Sequence, residues 1–348
     1  MVSLKEILAS NARISESLPP GLVAVFAGAT TGIGEATLKA FVQYAVEPKI
    51  YLLARTPASA ERVVAECTKI NPRANFIILK ADLSSMRQTD RACKEITSKE
   101  SAINLLSWSA GEIIIDRRIT PEGLNEFFAA AYYGRILTIQ NLLPLIQVAS
   151  KTSPLARILN VAGGTKEGNI DTSDISGFRT PFHRLRGHFT SLITLALEKF
   201  AEQAPTVSFI HDYPGAVPSP LFDDVQGLLG MFLRTMSFIV ITFLRSLVII
   251  DPKESGERHV YLLTSGRYPP KEGGAVGLPL NDKDQVVKGS DVKVGSGTYS
   301  VGWNGEGPNL KAAKILERMR QDGTQELVWR HTIELIEKAK ATTVDNVV

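Results

Sequence analysis

Two cysteines, Cys67 and Cys93, are too few and too far apart for a disulfide framework or a metal cluster, and they read as reduced thiols of an intracellular protein. Charge of one sign is lacking as well. Thirty-nine Lys and Arg against 36 Asp and Glu leave a net charge of +3, which gives no electrostatic case for nucleic acid. The opening Met-Val-Ser-Leu-Lys-Glu-Ile-Leu has neither the basic start nor the long apolar core of a signal peptide. It predicts a short amphipathic helix ending before Pro19-Pro20. Only 227–250 approaches a continuous apolar run. Arg234 and Arg245 leave ten residues between them, too few to span a bilayer. No internal repeat is present. What is there is ordinary globular material, 44 % hydrophobic, enough for one large domain or two small ones.

The most informative stretch is Leu22 to Gly34. An apolar run, Leu22 to Ala27, predicts a buried strand; Gly28-Ala-Thr30-Thr31-Gly32-Ile33-Gly34 predicts a tight turn; Ala36, Leu38, Ala40 and Phe41 begin a helical pattern. A glycine-rich turn between strand and helix is an anion site, because unpaired backbone N–H groups and the helix dipole favour phosphate. The context points to dinucleotide binding rather than a plain surface turn. A second buried strand, Lys49 to Ala54, ends at Arg55. An acidic residue there would take a ribose 2′-hydroxyl, whereas an arginine suits a 2′-phosphate, so Arg55 favours NADP over NAD.

Strands and helices then alternate: a helix from 58 to 70, a strand from 75 to 80 running into Asp82-Leu83, a strand from 103 to 107 running into Trp108-Ser109-Ala110-Gly111. A long helix is expected from 120 to 149, a fifth strand from 156 to 161, and a sixth from 206 to 211 leading into Asp212-Tyr213-Pro214-Gly215-Ala216-Val217. This alternation predicts an α/β fold, a doubly wound parallel sheet covered on both faces. The Gly-x-x-x-Gly-x-Gly spacing resembles that of the short-chain dehydrogenase/reductase family. The resemblance extends over about 20 to 340 and is similar to a divergent branch of fungal enzymes from secondary metabolism. Ser109-Ala110-Gly111, Tyr213 to Val217, Gly256-Glu-Arg-His259 and the Val-Trp-x-His-Thr of the last helix carry it. It implies cofactor contacts by Gly28, Thr30, Thr31, Gly32, Ile33, Gly34, Arg55, Asp82, Leu83, Ser109, Ala110, Gly111, Pro214, Gly215 and Val217. Asp82 reads equally as a helix cap.

The family's reductases use a Tyr that handles the substrate proton, a Lys four residues on that tunes it, a Ser on the fifth strand, and an Asn on the long helix that holds a water. Here the fifth strand continues Ala162-Gly163-Gly164-Thr165, and Ala131 stands where the Asn belongs. Counting back along the next helix puts Pro181 and Leu185 at the Tyr and Lys positions, and 177–192 contains neither residue type. The catalytic candidates left are His188, Tyr133 and Asp212, with Thr165, Lys166, Glu167 and Tyr213 as further pocket residues; each also reads as core or polar-loop material.

The expectation is an NADP(H)-dependent oxidoreductase for a lipophilic polyketide- or terpenoid-like intermediate, with no metal. A redox-neutral isomerase, cyclase or dehydratase in which the cofactor is structural or vestigial is the alternative, and a non-catalytic binding protein the third reading. The chain divides into an N-terminal helix (1–20), the Rossmann domain (21–266) with an apolar lid at 220–250, and an extension (267–348) anchored by Tyr299 and Trp303. The lid suits a large apolar substrate and leaves open peripheral membrane contact through 227–250 of an otherwise cytoplasmic protein. The family resemblance implies a homo-oligomer.

Overall fold

The computed structural model describes residues 1–111, 118–218, 249–281 and 284–342. The expected lid lies outside them, apart from Ile249 and Ile250. Seven strands, β1 (Val23–Ala27), β2 (Lys49–Ala54), β3 (Asn75–Lys80), β4 (Leu105–Trp108), β5 (Arg157–Val161), β6 (Ser208–Tyr213) and β7 (Thr298–Gly302), form one parallel sheet in the order β3-β2-β1-β4-β5-β6-β7. The order reverses between β1 and β4, which opens a crevice at their carboxyl ends, where ligands bind in folds of this kind.

In chain order the helices are α1 (Leu4–Ala12), α2 (Ile14–Ser17), α3 (Gly32–Tyr44), α4 (Pro57–Ile70), α5 (Met86–Lys99), α6 (Glu126–Phe128), α7 (Gly134–Thr152), α8 (Phe182–Gln203), α9 (Pro252–Thr264), α10 (Leu310–Gln321) and α11 (Thr324–Ala341). A π-helical turn, Ala129–Tyr133, joins α6 to α7. Each sheet face has its own core. Leu38 and Phe41 of α3, Val63 of α4 and Val260 and Leu263 of α9 cover Phe26, Leu52 and Ile210 on one side. Cys93 and Ile96 of α5, Ile136 and Leu142 of α7 and Leu192 and Ile193 of α8 cover Leu106, Ile158 and Phe209 on the other. Burial from both sides explains why the central strands read as unbroken apolar runs.

The C-terminal extension is part of the fold. It supplies β7, whose Phe209↔Thr298 to Tyr213↔Gly302 register continues the sheet, so a boundary at 267 cuts through the sheet's own edge. Tyr299 is fully buried, as expected of an anchor, whereas Trp303 is 40 % exposed and stacks beneath the Arg258 guanidinium at 5.4 Å instead. Helices α10 and α11 lie on α8: Leu316 and Met319 pack with Leu195, and Trp329 meets Phe200 edge-on at 5.0 Å. A buried arginine ties the other sheet face together. Arg157 donates to the carbonyls of Leu262, Ser265, Tyr268 and Val276. Burial pushes its guanidinium down to about 10.

Candidate cofactor turn and active site

β1 delivers the chain to the glycine turn at the point where the strand order reverses. Gly28 has φ +80°, and a Cβ there would lie 2.3 Å from the Ala110 nitrogen; one on Gly34 would lie 2.2 Å from Ser109 Oγ. The turn is therefore packed against the segment after β4, and Ser109 Oγ donates to the Gly28 carbonyl at 3.0 Å. Helix α3 begins at Thr31 with no side-chain cap, so its first backbone N–H groups are left for a ligand. Arg62 of α4 braces the turn from outside: Nη2 donates to the Thr30 carbonyl at 2.8 Å and to Glu35 at 2.7 Å. Sequence reasoning passed over Arg62, whose helix spacing looks like any solvated charge. Arg55 is exposed at the carboxyl end of β2. Asp82 is half-buried, and its Oδ1 accepts from the Ser84 N–H and hydroxyl. It closes a small turn; the cap of α5 is Ser85, aided by Glu122, which accepts from the Met86 N–H. These residues fit a dinucleotide: uncapped amides for its phosphates and a cation where the adenosine ribose would end.

The sheet places Gly111 beside Ala131, Cβ to Cβ at 3.3 Å for a side chain built on the glycine. The Ala131 carbonyl is occupied, because Arg135 Nε donates to it at 2.9 Å while Nη2 reaches the Val161 carbonyl at 3.3 Å. Arg135 is buried with Nη1 lacking a partner, and burial pushes the guanidinium down to about 9. Beyond β5, Gly163 N–H donates to His211 Nε2, which fixes the proton on Nδ1 facing Thr194 Oγ1 at 2.8 Å. Thr194 and Ser300 both donate to Glu167 Oε1, and Ser300 Oγ accepts from the Thr165 N–H. Glu167, read from sequence as a pocket residue or part of a polar loop, is a buried acceptor that shapes the chain after β5, and burial raises its carboxyl.

The three catalytic candidates are not brought together. His188 is fully buried; Nδ1 accepts from the Asp171 N–H at 3.1 Å and Nε2 donates to the Ile175 carbonyl at 3.0 Å. Both nitrogens are committed, burial lowers its proton affinity, and the ring staples the 171–175 loop to α8 rather than lining the crevice. Tyr133 is also fully buried, its hydroxyl donating to Ser176 at 3.2 Å within a chain that continues to His331 at 3.1 Å, and burial raises it further. The helical period turns it away from Ala131 toward the C-terminal extension. Asp212 points to the opposite sheet face, where Oδ2 stands 2.9 Å from His259 Nε2 without hydrogen-bond alignment. His259 Nδ1 faces the Ser255 carbonyl, so this pair locks α9 to β6. What remains at the carboxyl ends of β5 and β6 is Tyr213, half-buried, with Lys166 Nζ 5.0 Å and Arg186 Cζ 4.9 Å from its ring centroid. Pro214 and Gly215 follow it, Gly215 with φ +80°.

Residues 22–172 match the family model for short chain dehydrogenase. The chain is 35 % identical over 352 residues to oxidoreductase AN1596 of Emericella nidulans, covering 97 % of this chain and 99 % of that one. It is 34 % identical to oxidoreductase andH of Emericella variicolor, over 96 % of each. The protein belongs to the short-chain dehydrogenase/reductase superfamily. Its fold is similar to that of L-sorbose reductase from Gluconobacter frateurii, solved with NADPH and L-sorbose, at TM-score 0.51 and 14 % identity over 74 % of this chain and 93 % of that one. Among the described residues no helix is long and apolar enough to cross a membrane, and no cluster of ligands for a metal ion is present.

Proposed function

We propose that this short-chain dehydrogenase/reductase is an NADP(H)-dependent oxidoreductase acting on the ketone, alcohol or enone of a lipophilic polyketide- or terpenoid-like intermediate. The observation that carries the reading is the uncapped start of α3, at a turn whose glycines leave no room for side chains. Arg55 at the end of β2 supports the phosphorylated nucleotide, and the apolar composition of 227–250 supports a lipophilic substrate. A bound nicotinamide would supply hydride chemistry. The chain's own part is to hold it over the β1–β4 crevice and to manage the proton on the substrate oxygen.

A redox-neutral isomerase, cyclase or dehydratase is the second reading. Two features favour it: 177–192 holds no Tyr and no Lys, and Ala131 stands where the water-holding Asn is expected, with its carbonyl taken by Arg135. Incubating the protein with apolar ketones and enones, with and without NADPH, separates the two. A product two mass units heavier, formed as the absorbance of reduced nicotinamide falls, is the outcome expected. Conversion at unchanged mass without nucleotide would overturn the oxidoreductase assignment.

A further inference from the structure

We propose that Tyr213 is the proton donor to the substrate oxygen, with Lys166 and Arg186 as the positioning cations on its ring; the proposal rests on the oxidoreductase reading above. Of the eight tyrosines, six engage their hydroxyl with a protein partner. Tyr261 is sealed in the core at 3 % exposure. Tyr213 alone is half-exposed with a hydroxyl that no described residue bonds. It closes β6, one residue before Pro214, at the sheet edge where ligands of this topology bind.

The cations reach it by construction. Lys166 sits in the turn after β5, where its N–H donates to the Gly163 carbonyl at 3.0 Å; Arg186 lies on the second turn of α8. Gly168 and Gly187 bring these two segments into backbone contact: a Cβ on either would lie 2.9 Å from the other's Cα. The Gly168 N–H donates to the Gly187 carbonyl at 3.0 Å, and Ser191 Oγ donates to the Gly168 carbonyl at 2.6 Å. Neither Lys166 nor Arg186 has a carboxylate within ion-pair reach among the described residues, so both charges are directed at the ring and at whatever forms beside it. A tyrosine with adjoining cations is thereby assembled from β6, the β5 loop and α8, although α8 itself carries no Tyr-x-x-x-Lys.

The step balances simply. As the carbonyl carbon gains hydride from a reduced nicotinamide, its oxygen gains the Tyr213 proton; the C=O π bond opens to an alcohol, and water returns a proton to the phenolate. The two cations hold the phenolate while it lasts.

The test uses the full-length protein and carbonyl-¹³C-labelled cyclooctanone. With oxidised NADP present no turnover occurs, and the ¹³C shift of the bound ketone reports hydrogen bonding to its oxygen. A downfield displacement in the wild type that Tyr213→Phe abolishes is expected, alongside an unchanged nucleotide affinity by fluorescence. With NADPH, Tyr213→Phe is expected to lower kcat by about 10²- to 10⁴-fold. The Lys166→Met/Arg186→Met pair is expected to lower kcat with KM unchanged, and Arg186→Lys in the Lys166→Met background to recover part of it. A carbonyl shift that Tyr213→Phe leaves intact, or a ketone signal unaltered by the wild type, overturns the proposal. So does a double variant that raises KM alone, since the cations would then serve ketone binding and not proton transfer. A displaced ¹³C signal without any NADPH oxidation would instead count against the oxidoreductase reading while keeping Tyr213 as donor.

Discussion

The two halves of the crevice follow different rules. On the β1–α3 side each feature is dictated by backbone: glycines that admit no Cβ, a helix start without a cap, and a neighbouring turn held by Ser109. On the β5–α8 side the backbone is just as tightly placed, by Gly168 against Gly187 and by the Glu167–Thr194–His211 chain, yet the side chains are different from those the fold family uses. Phosphate binding by amides needs only a backbone shape, so a turn of this geometry tolerates wide sequence change. Proton transfer needs a particular atom at a particular point, which in the proposal above comes from another element.

The sharpest way to break the comparison is Gly28→Val. A side chain at φ +80° pressed on the Ala110 backbone is expected to abolish nucleotide binding and to cost about 1–3 kcal/mol of stability. Titration of NADPH fluorescence and thermal unfolding check the two effects separately. The larger effect on stability alone is at Arg157→Met, which takes a donor from four carbonyls far from the crevice, of which Tyr268 keeps the Ser208 hydroxyl and Ser265 the Tyr268 N–H. It is expected to destabilise by about 3–5 kcal/mol in urea unfolding, with kcat retained where the protein stays folded. Third, His188→Ala removes two hydrogen bonds from a closed site and is expected to cost about 1–3 kcal/mol with less than a tenfold change in kcat. A large loss of kcat at unchanged stability would return His188 to the catalytic machinery.

A pH series extends that third experiment. Burial holds the His188 and His211 protons off in the folded state, so their folded values lie below the unfolded 6.5. Below that pH the unfolded chain binds more protons, and stability falls as pH drops from about 7 toward 5, with a slope of up to about 1.4 kcal/mol per pH unit for each group. Removing His188 should flatten the decline; an unchanged slope would show that this ring titrates alike in both states. The smallest effect is at Arg55. Arg55→Ala is expected to weaken NADPH by about tenfold and NADH hardly at all, and equal weakening of both would remove the argument for the 2′-phosphate.

The sheet was legible in the sequence because its signals are local: apolar runs bounded by Gly and Pro, and a glycine spacing that backbone geometry enforces. Most strand ends shifted by one or two residues, which placed Asp212 and Tyr213 inside β6 instead of in the loop after it, while the long helix expected from 120 begins only at Glu126 and runs to Thr152. β7 was not legible as a strand of the sheet, since Thr298 to Gly302 stands among glycines and its partner lies some 90 positions away in the chain. His188 and Tyr133 were drawn to the crevice by counting along helices. Counting gives the face of a helix but not what covers it, and here the 171–176 loop and α11 do. Lys166 read as a residue of the pocket or of a polar loop and Arg186 carried no signal at all; the tertiary contact between two glycines is what brings both to the Tyr213 ring.

Strand β7 has a consequence for how the protein is made. Until residue 298 has left the ribosome, the outer edge of β6 carries open amides and carbonyls with no neighbour, on a strand whose other side is already committed to β5. Nascent chains stalled before that point would present an unprotected template to one another, so synthesis of the β7 segment is also the step that covers this edge.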